Sequence, residues 1–248
     1  MKSIIFLLFC LLSLPIQAEK INISAIDWCP QICPQQEDKG YVVDLINEVF
    51  KESQYEVAIS YYPWSRAIKN VQKGESDALL SPSKTEAPTL IYPHHPVGAQ
   101  RMCFFTSKDS SWNYNGIDSL KNKKIGIAID SSIEELNNYV HAHPEQFQFR
   151  PYHDRYVLRN AGKLDKNRID TFLFTRNTTI YTLKKAGIFE KYREAGCVSE
   201  ADIYIAFSPK QKSTDKISNI IKLFDRRVIE LKKRGYIKRL MQRYGLDN

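Results

Sequence analysis

Long apolar runs are scarce in this sequence. After residue 18, no stretch matches the roughly 20 apolar residues that a spanning helix needs. Cysteine is scarce as well, with five in 248 residues, and none stands in a C-x-x-C pair. No histidine pair has metal-finger spacing. The usual signatures of thiol redox chemistry and of structural zinc are therefore missing, although a C-x3-C pair leaves both open as alternatives. No internal repeat and no low-complexity segment is present. No Ser-His-Asp order and no paired-carboxylate motif stands out, and no catalytic residue is assigned.

The one apolar run that is present lies at the start. Lys2 precedes Ile4 to Leu14, Pro15 follows, and Ile16-Gln17-Ala18 ends on a small residue. This is the layout of a secretory signal peptide spanning 1-18, cleaved near Ala18. A lipoprotein signal would want a small residue before Cys10, and Phe9 is not small. The expected mature chain, 19-248, is a soluble protein of the periplasm. Its length fits one large domain or two small ones.

The formal charge is +8. Basic residues are scattered apart from a cluster between Arg226 and Arg243, which reads as a solvated helix face. Nucleic acid is not an expected partner of an exported chain. Such a surface favours anionic ligands by long-range steering. The four remaining cysteines are an even number in an exported chain and point to disulfides. Cys29 and Cys33 share one proline-flanked loop, so a local bridge would leave Cys103 to pair with Cys197.

Strand and helix patterns alternate. Ile21 to Ile26 alternates apolar and polar residues and predicts a strand. Val42 to Lys51 predicts a helix with Val42, Leu45, Ile46, Val49 and Phe50 on one face. Val57 to Tyr61 predicts a strand, Ser65 to Lys73 a helix stopped by Gly74, and Asp77 to Leu80 a short buried strand. Arg101 to Thr106, Ile125 to Ile129, Ile169 to Phe174 and Ile203 to Phe207 are further strands. Ser132 to Glu135 reads as a capping box at a helix start, with His141 and His143 at that helix's end. Thr178 to Lys185 is a helix before Gly187. Helices from Thr214 onward and after Gly235 close the chain. Two β-α series call for two α/β units, with exchange near Gly98 and Asp202.

Several segments, in this order and spacing, carry a resemblance. These are Asp27-Trp28-Cys29-Pro30, Gly40-Tyr41-Val42-Val43-Asp44-Leu45, Pro63-Trp64-Ser65-Arg66-Ala67 with Lys73 to Ala78, Leu120 to Gly126, and Gly235 to Gly245. Together they resemble the family 3 extracellular solute-binding proteins over nearly the whole mature chain. The resemblance implies the two-lobed type II periplasmic binding protein fold, α/β, with each lobe a mixed sheet covered by helices, and a hinge. Lobe one would span 19-97 and 202-248, and lobe two 98-201. It implies a small-molecule ligand in the interlobe cleft and a partner that is an ABC-importer permease or a membrane sensor. It also implies a monomer with no cofactor, no metal and no enzymatic activity, although a few relatives are dehydratases.

The candidate ligand-binding residues are Trp28, Trp64, Arg66, Ser81, Ser83, Ser131, Ser132, Arg176 and Asn177. The two tryptophans offer aromatic walls, or else simple core packing. Ser81 and Ser83 follow a strand. Ser131 and Ser132 stand at a helix N-terminus, where free amides suit an anion. Ala87 occupies the place where amino-acid binders carry an arginine for the ligand carboxylate. Thr175, Arg176 and Asn177 follow the strand where such binders carry an aspartate for its ammonium. With both partners replaced, and with Arg66 and Arg176 near the cleft, the expected ligand is anionic or carboxylate-bearing rather than a free zwitterionic amino acid.

Overall fold

Ile21 and Ile23 alternate with exposed Asn22, and this pattern places the first strand, β1 (Glu19–Ala25), at the centre of a sheet. The computed structural model describes residues 18–129, 133–210 and 214–246, without the side chains of Glu134, Ser199 and Thr214. The signal-peptide run before Ala18 and the pair Ser131 and Ser132, and with Ser132 the cap of the expected capping box, lie outside the described residues. Among the described residues no helix is long and apolar enough to cross a membrane.

The first sheet has the order β2-β1-β3-β9. Strand β2 (Tyr55–Tyr61) and β3 (Ala78–Leu80) run parallel to β1, each reached through a helix, α1 (Tyr41–Phe50) and α2 (Trp64–Lys73). Strand β9 (Ile205–Phe207) closes the sheet antiparallel to β3. The helices form where expected because their apolar residues recur at helical spacing. Val42, Leu45, Ile46 and Val49 of α1 are fully or nearly fully buried on one face of the sheet. Ala67 and Val71 of α2 cover the other face with Leu79 and Ala206. The long terminal helix α6 (Thr214–Lys233) and the short α7 (Tyr236–Arg243) pack beside α1 through Ile220, Phe224, Val228 and Leu240.

The second sheet has the order β6-β5-β7-β4-β8. Strands β5 (Ile125–Ala128), β6 (Phe147–Arg150) and β7 (Thr171–Thr175) are mutually parallel, β4 (Gly98–Ser107) runs antiparallel to β7, and β8 (Tyr192–Ile203) runs antiparallel to β4. Alternation along β4 splits its side chains between two cores. Cys103 and Phe105 face α4 (Tyr156–Leu164) and α5 (Arg176–Lys185), and Met102 and Phe104 face the side covered by Leu136 and Val140 of the short α3 (Asn137–Ala142) region. Both sheets are thus mixed and helix-covered, as expected of the type II fold.

Three elements were not anticipated from the sequence. Strand β8 is twelve residues long, yet its polar run Tyr192-Arg193-Glu194 and Gly196 hide it. It is an edge strand with register irregularities against β4, so it needs no continuous apolar pattern. Strand β6 is also an edge, four residues long, and α4 follows it. The expected single strand over 203–207 is divided instead. β8 ends at Ile203, and after Tyr204 the chain joins the other sheet as β9.

The chain passes between the sheets at two adjacent places. The Val97 amide donates to the Ile203 carbonyl at 2.8 Å, and Gly98 then pairs with Ile203 at the start of the β4–β8 ladder. The ladder carries the Cys103–Cys197 disulfide between directly opposed residues, and Cys29–Cys33 forms the second disulfide. Both expected pairings are present. A group of possible metal ligands among the described residues, Cys103, Glu194 and Cys197, includes that long-range disulfide and so offers no thiolate.

Candidate functional site

In a parallel sheet the loops leaving the carboxyl ends of the strands form a crevice. Here two such sets of loops face each other. A cavity of about 610 Å³ lies between the sheets. From the first sheet it takes Ile26, Asp27 and Trp28 after β1, Tyr61 to Trp64 after β2, and Ser81 after β3. From the second it takes Ala128 at the end of β5, Pro151 to Asp154 after β6, and Phe174 and Thr175 at the end of β7. Gln100 and Met102 on the crossing strand β4 complete the wall, with Glu86 at the rim of the first sheet.

The loop from Asp27 to Gly40 carries the first wall. Trp28 and Ile32 exchange backbone hydrogen bonds of 2.8 and 2.9 Å across the small disulfide ring, and the Cys29–Pro30 peptide is cis. Gly40 closes the loop at φ 104°, and a Cβ there would stand 2.3 Å from the Gln31 carbonyl oxygen, so only glycine fits. The Gly40 amide donates to the Tyr244 hydroxyl (2.9 Å), which donates to Asp44 (2.9 Å), tying the loop to α1 and to the residue after α7. The same loop touches the second sheet's side. Trp28 Nε1 donates to Thr175 Oγ1 at 3.3 Å, Gln31 Nε2 to Thr178 Oγ1 at 3.4 Å, and the Tyr181 hydroxyl to Gln36 Oε1 at 2.9 Å.

Of the sequence-predicted residues, the structure brings Trp28, Trp64 and Ser81 together on the cavity wall. Ser81 has φ 70°, a left-handed conformation that a serine adopts only where its surroundings impose it. Its amide is held by the Tyr204 carbonyl (2.7 Å), while its buried hydroxyl has no partner among the described residues.

Ser83, Arg66, Arg176 and Asn177 do not line the cavity. The Ser83 hydroxyl contacts Thr85 and accepts from the Glu86 amide, and its own amide donates to Glu86 Oε2 at 2.8 Å; this is a local turn. Arg66 is exposed on α2 with its guanidinium 5.4 Å from the centre of the Tyr62 ring. Arg176 Nε donates to Glu194 Oε2 at 2.8 Å. Asn177 stands beside the buried Tyr41 hydroxyl.

Residues that the sequence reading did not single out carry most of the wall's chemistry. Tyr61 and Tyr62 immediately precede Trp64 and belong to the same strand end, which was the signal available. Tyr152, His153 and Asp154 follow β6 and could be found only once that strand was recognised. The Asp27 carboxyl is held above its ordinary range, first by burial and then by the Asp154 carboxylate. Burial and the negative charge of Asp27 likewise raise the Tyr61 phenol. The Tyr152 phenol is raised by burial, then by Asp27 and Asp154. The two aspartates, one from each sheet's loops, line the same cavity.

Among the described residues the lining contains Asp27, Glu86 and Asp154 and no lysine or arginine. The expectation of an anionic ligand drew on Arg66, Arg176 and the serine-bearing helix start; the two arginines do not line the cavity, and the serine pair lies outside the described residues.

Solved structures share this architecture. A structure from a study of glutathione import in Gram-positive bacteria via GshT and the cystine ABC importer TcyBC of Streptococcus mutans has 15% identity and a TM-score of 0.73, over 91% of this chain and 94% of that one. A probable amino-acid ABC transporter extracellular-binding protein, YtmK from Bacillus subtilis, has 19% identity and a TM-score of 0.71, over 92% and 97%. A histidine kinase sensor domain similar to periplasmic binding proteins has 16% identity and a TM-score of 0.70, over 92% and 96%. No curated protein sequence matches the chain. At these identities the likeness establishes the fold. A sequence model of the bacterial extracellular solute-binding proteins, family 3, matches residues 27–247, nearly the entire described chain, and to that family this protein belongs.

Proposed function

We propose that this protein is exported after loss of residues 1-18 and captures a small polar solute between two lobes in the periplasm. Lobe one is taken as 19-97 with 202-248, and lobe two as 98-201. The observation that carries the reading is the cavity of about 610 Å³ built from strand ends of both sheets, a volume in the range of small-molecule sites. A solute touching both walls gains more contacts when the lobes approach, so occupancy favours the closed arrangement. The paired crossings at Val97–Gly98 and Ile203–Tyr204 serve as the hinge. The closed form is then what a partner recognises, and that partner is read as an ABC-importer permease. The protein acts as a monomer and binds without turnover.

A second reading replaces the permease with a membrane sensor. The likeness to a histidine kinase sensor domain favours keeping it. The test of the cleft is thermal denaturation against a panel of metabolites, because a ligand bound only by the folded state raises the melting temperature. Trp64→Ala and Trp28→Ala should each abolish most of that rise. A ligand whose effect survives both substitutions would place binding outside the cleft. Conversion of the ligand during incubation would establish an enzyme instead.

A further inference from the structure

The charge pattern of the cleft narrows the class of solute, on the reading that the cleft is the ligand site. No described residue makes a hydrogen bond or ion pair with the Asp27 carboxylate, and Asp27 is an exposed residue on a cavity wall otherwise rich in aromatic rings. Asp154 approaches it from the second sheet's loops. His153 Nδ1 lies 3.1 Å from the Arg155 amide and 3.4 Å from Asp154 Oδ1.

Four of the cations near lining residues in the chain have contacts of their own; of the others, Arg150 donates to the Phe149 carbonyl and Arg155 is exposed beside Asp154. Arg66 lies on Tyr62, the Lys84 ammonium is 4.9 Å from the centre of the Tyr204 ring, Arg101 pairs with Glu200 and Arg176 with Glu194. The wall is otherwise ring faces, including Trp28, Tyr61, Trp64 and Tyr152, whose quadrupoles attract positive charge. Ser81 adds an independent sign of an absent partner, since its hydroxyl is buried at the cavity, unbonded, and held on a strained backbone.

We infer that the cleft selects an organic cation without a carboxylate, an amine or guanidine on a short apolar body, whose positive group sits between Asp27 and Asp154. Such a ligand satisfies two carboxylates that repel each other across the cleft, and closure brings both onto it. A ligand carboxylate would find no lysine or arginine on this wall and would be repelled by the aspartates.

Calorimetry with matched probes tests the inference. Agmatine and arginine share a guanidine body, as putrescine and ornithine share an amine body, and in each pair only the second carries a carboxylate. Agmatine or putrescine should bind at least tenfold more tightly than its partner. Asp27→Asn and Asp154→Asn should each weaken that binding at least tenfold, without lowering the melting temperature of the unliganded protein. Equal or tighter binding of arginine, ornithine or succinate overturns the cation assignment. The cleft reading survives that result if Trp64→Ala weakens the same ligand, and falls with it if Trp64→Ala does not. Failure of every cationic probe to bind at millimolar concentration also counts against the assignment.

Discussion

The two disulfides should differ sharply in what they stabilise. Cys103 and Cys197 are 94 residues apart, and Cys29 and Cys33 only 4. In the chain-entropy description, a crosslink stabilises by shrinking the unfolded ensemble, with a logarithmic dependence on the loop closed. That gives about 4.7 kcal/mol for the long loop and about 2 kcal/mol for the short one at 25 °C. For a protein of this size, the corresponding losses in melting temperature are roughly 10–20 °C and roughly 4–8 °C. The burial of Cys103 adds a packing loss in the same direction when it is shortened to alanine. The assay is denaturant unfolding and calorimetry of the two double variants, Cys103→Ala with Cys197→Ala and Cys29→Ala with Cys33→Ala. Equal losses, or a larger loss from the short-loop pair, would refute the argument that chain separation sets the stabilisation. The short-loop variant should instead show its main defect in ligand affinity, because that ring holds Trp28 and Gln31 against Thr175 and Thr178.

Arg66→Ala should leave the ligand dissociation constant unchanged and alter stability by less than about 1 kcal/mol, since its contact is an exposed stack on Tyr62; a tenfold loss of affinity would put the guanidinium in the site after all. Acidity should move stability and binding in opposite directions. Asp27 has a raised folded-state pKa, so the folded protein holds that proton more firmly than the unfolded chain, and stability of the unliganded protein falls as pH rises from about 3.8 through the raised value, then levels off. The groups facing Asp27 are Asp154, Tyr61 and Tyr152, and the raised phenols stay neutral throughout this window. Affinity for a cation rises over the same window as the carboxylate ionises. Calorimetric scans of wild type and Asp27→Asn should diverge with rising pH, the variant melting higher; a lower melting temperature for Asp27→Asn at neutral pH would contradict the assignment.

The fold was legible because its buried strands and helices repeat apolar residues at fixed periods. β1 and α1 show this in Ile21 and Ile23 and in Val42, Leu45, Ile46 and Val49. The elements that escaped notice, β6 and β8, lie at sheet edges, where one neighbour suffices and polar residues are tolerated. Trp28 and Trp64 were accessible for a similar reason, since each directly follows a recognised strand. Tyr152 and Asp154 follow an unrecognised strand and could not be placed. That Arg66 and Arg176 do not line the cavity has a geometric cause. Arg66 and Arg176 lie next to wall residues in the chain, but each occupies the first turn of a helix. There the side-chain direction changes by about 100° per residue, so sequence adjacency to a cavity does not confer facing it. Arg176 turns to Glu194 on β8, an element absent from the sequence reading.

The mixed connectivity of the first sheet bears on how the protein is made. Every strand of the second sheet lies between residues 98 and 203, so that unit is complete in one continuous stretch of chain. The first sheet begins at Glu19 but lacks its edge strand β9 until Phe207, and its covering residues Phe224, Val228 and Leu240 come later still. A chain emerging amino end first therefore presents β1, β2 and β3 with one helix-bound face uncovered while the second sheet is already able to close. The first half must be kept from aggregating during that interval, and the last helix to arrive completes the first strand's core.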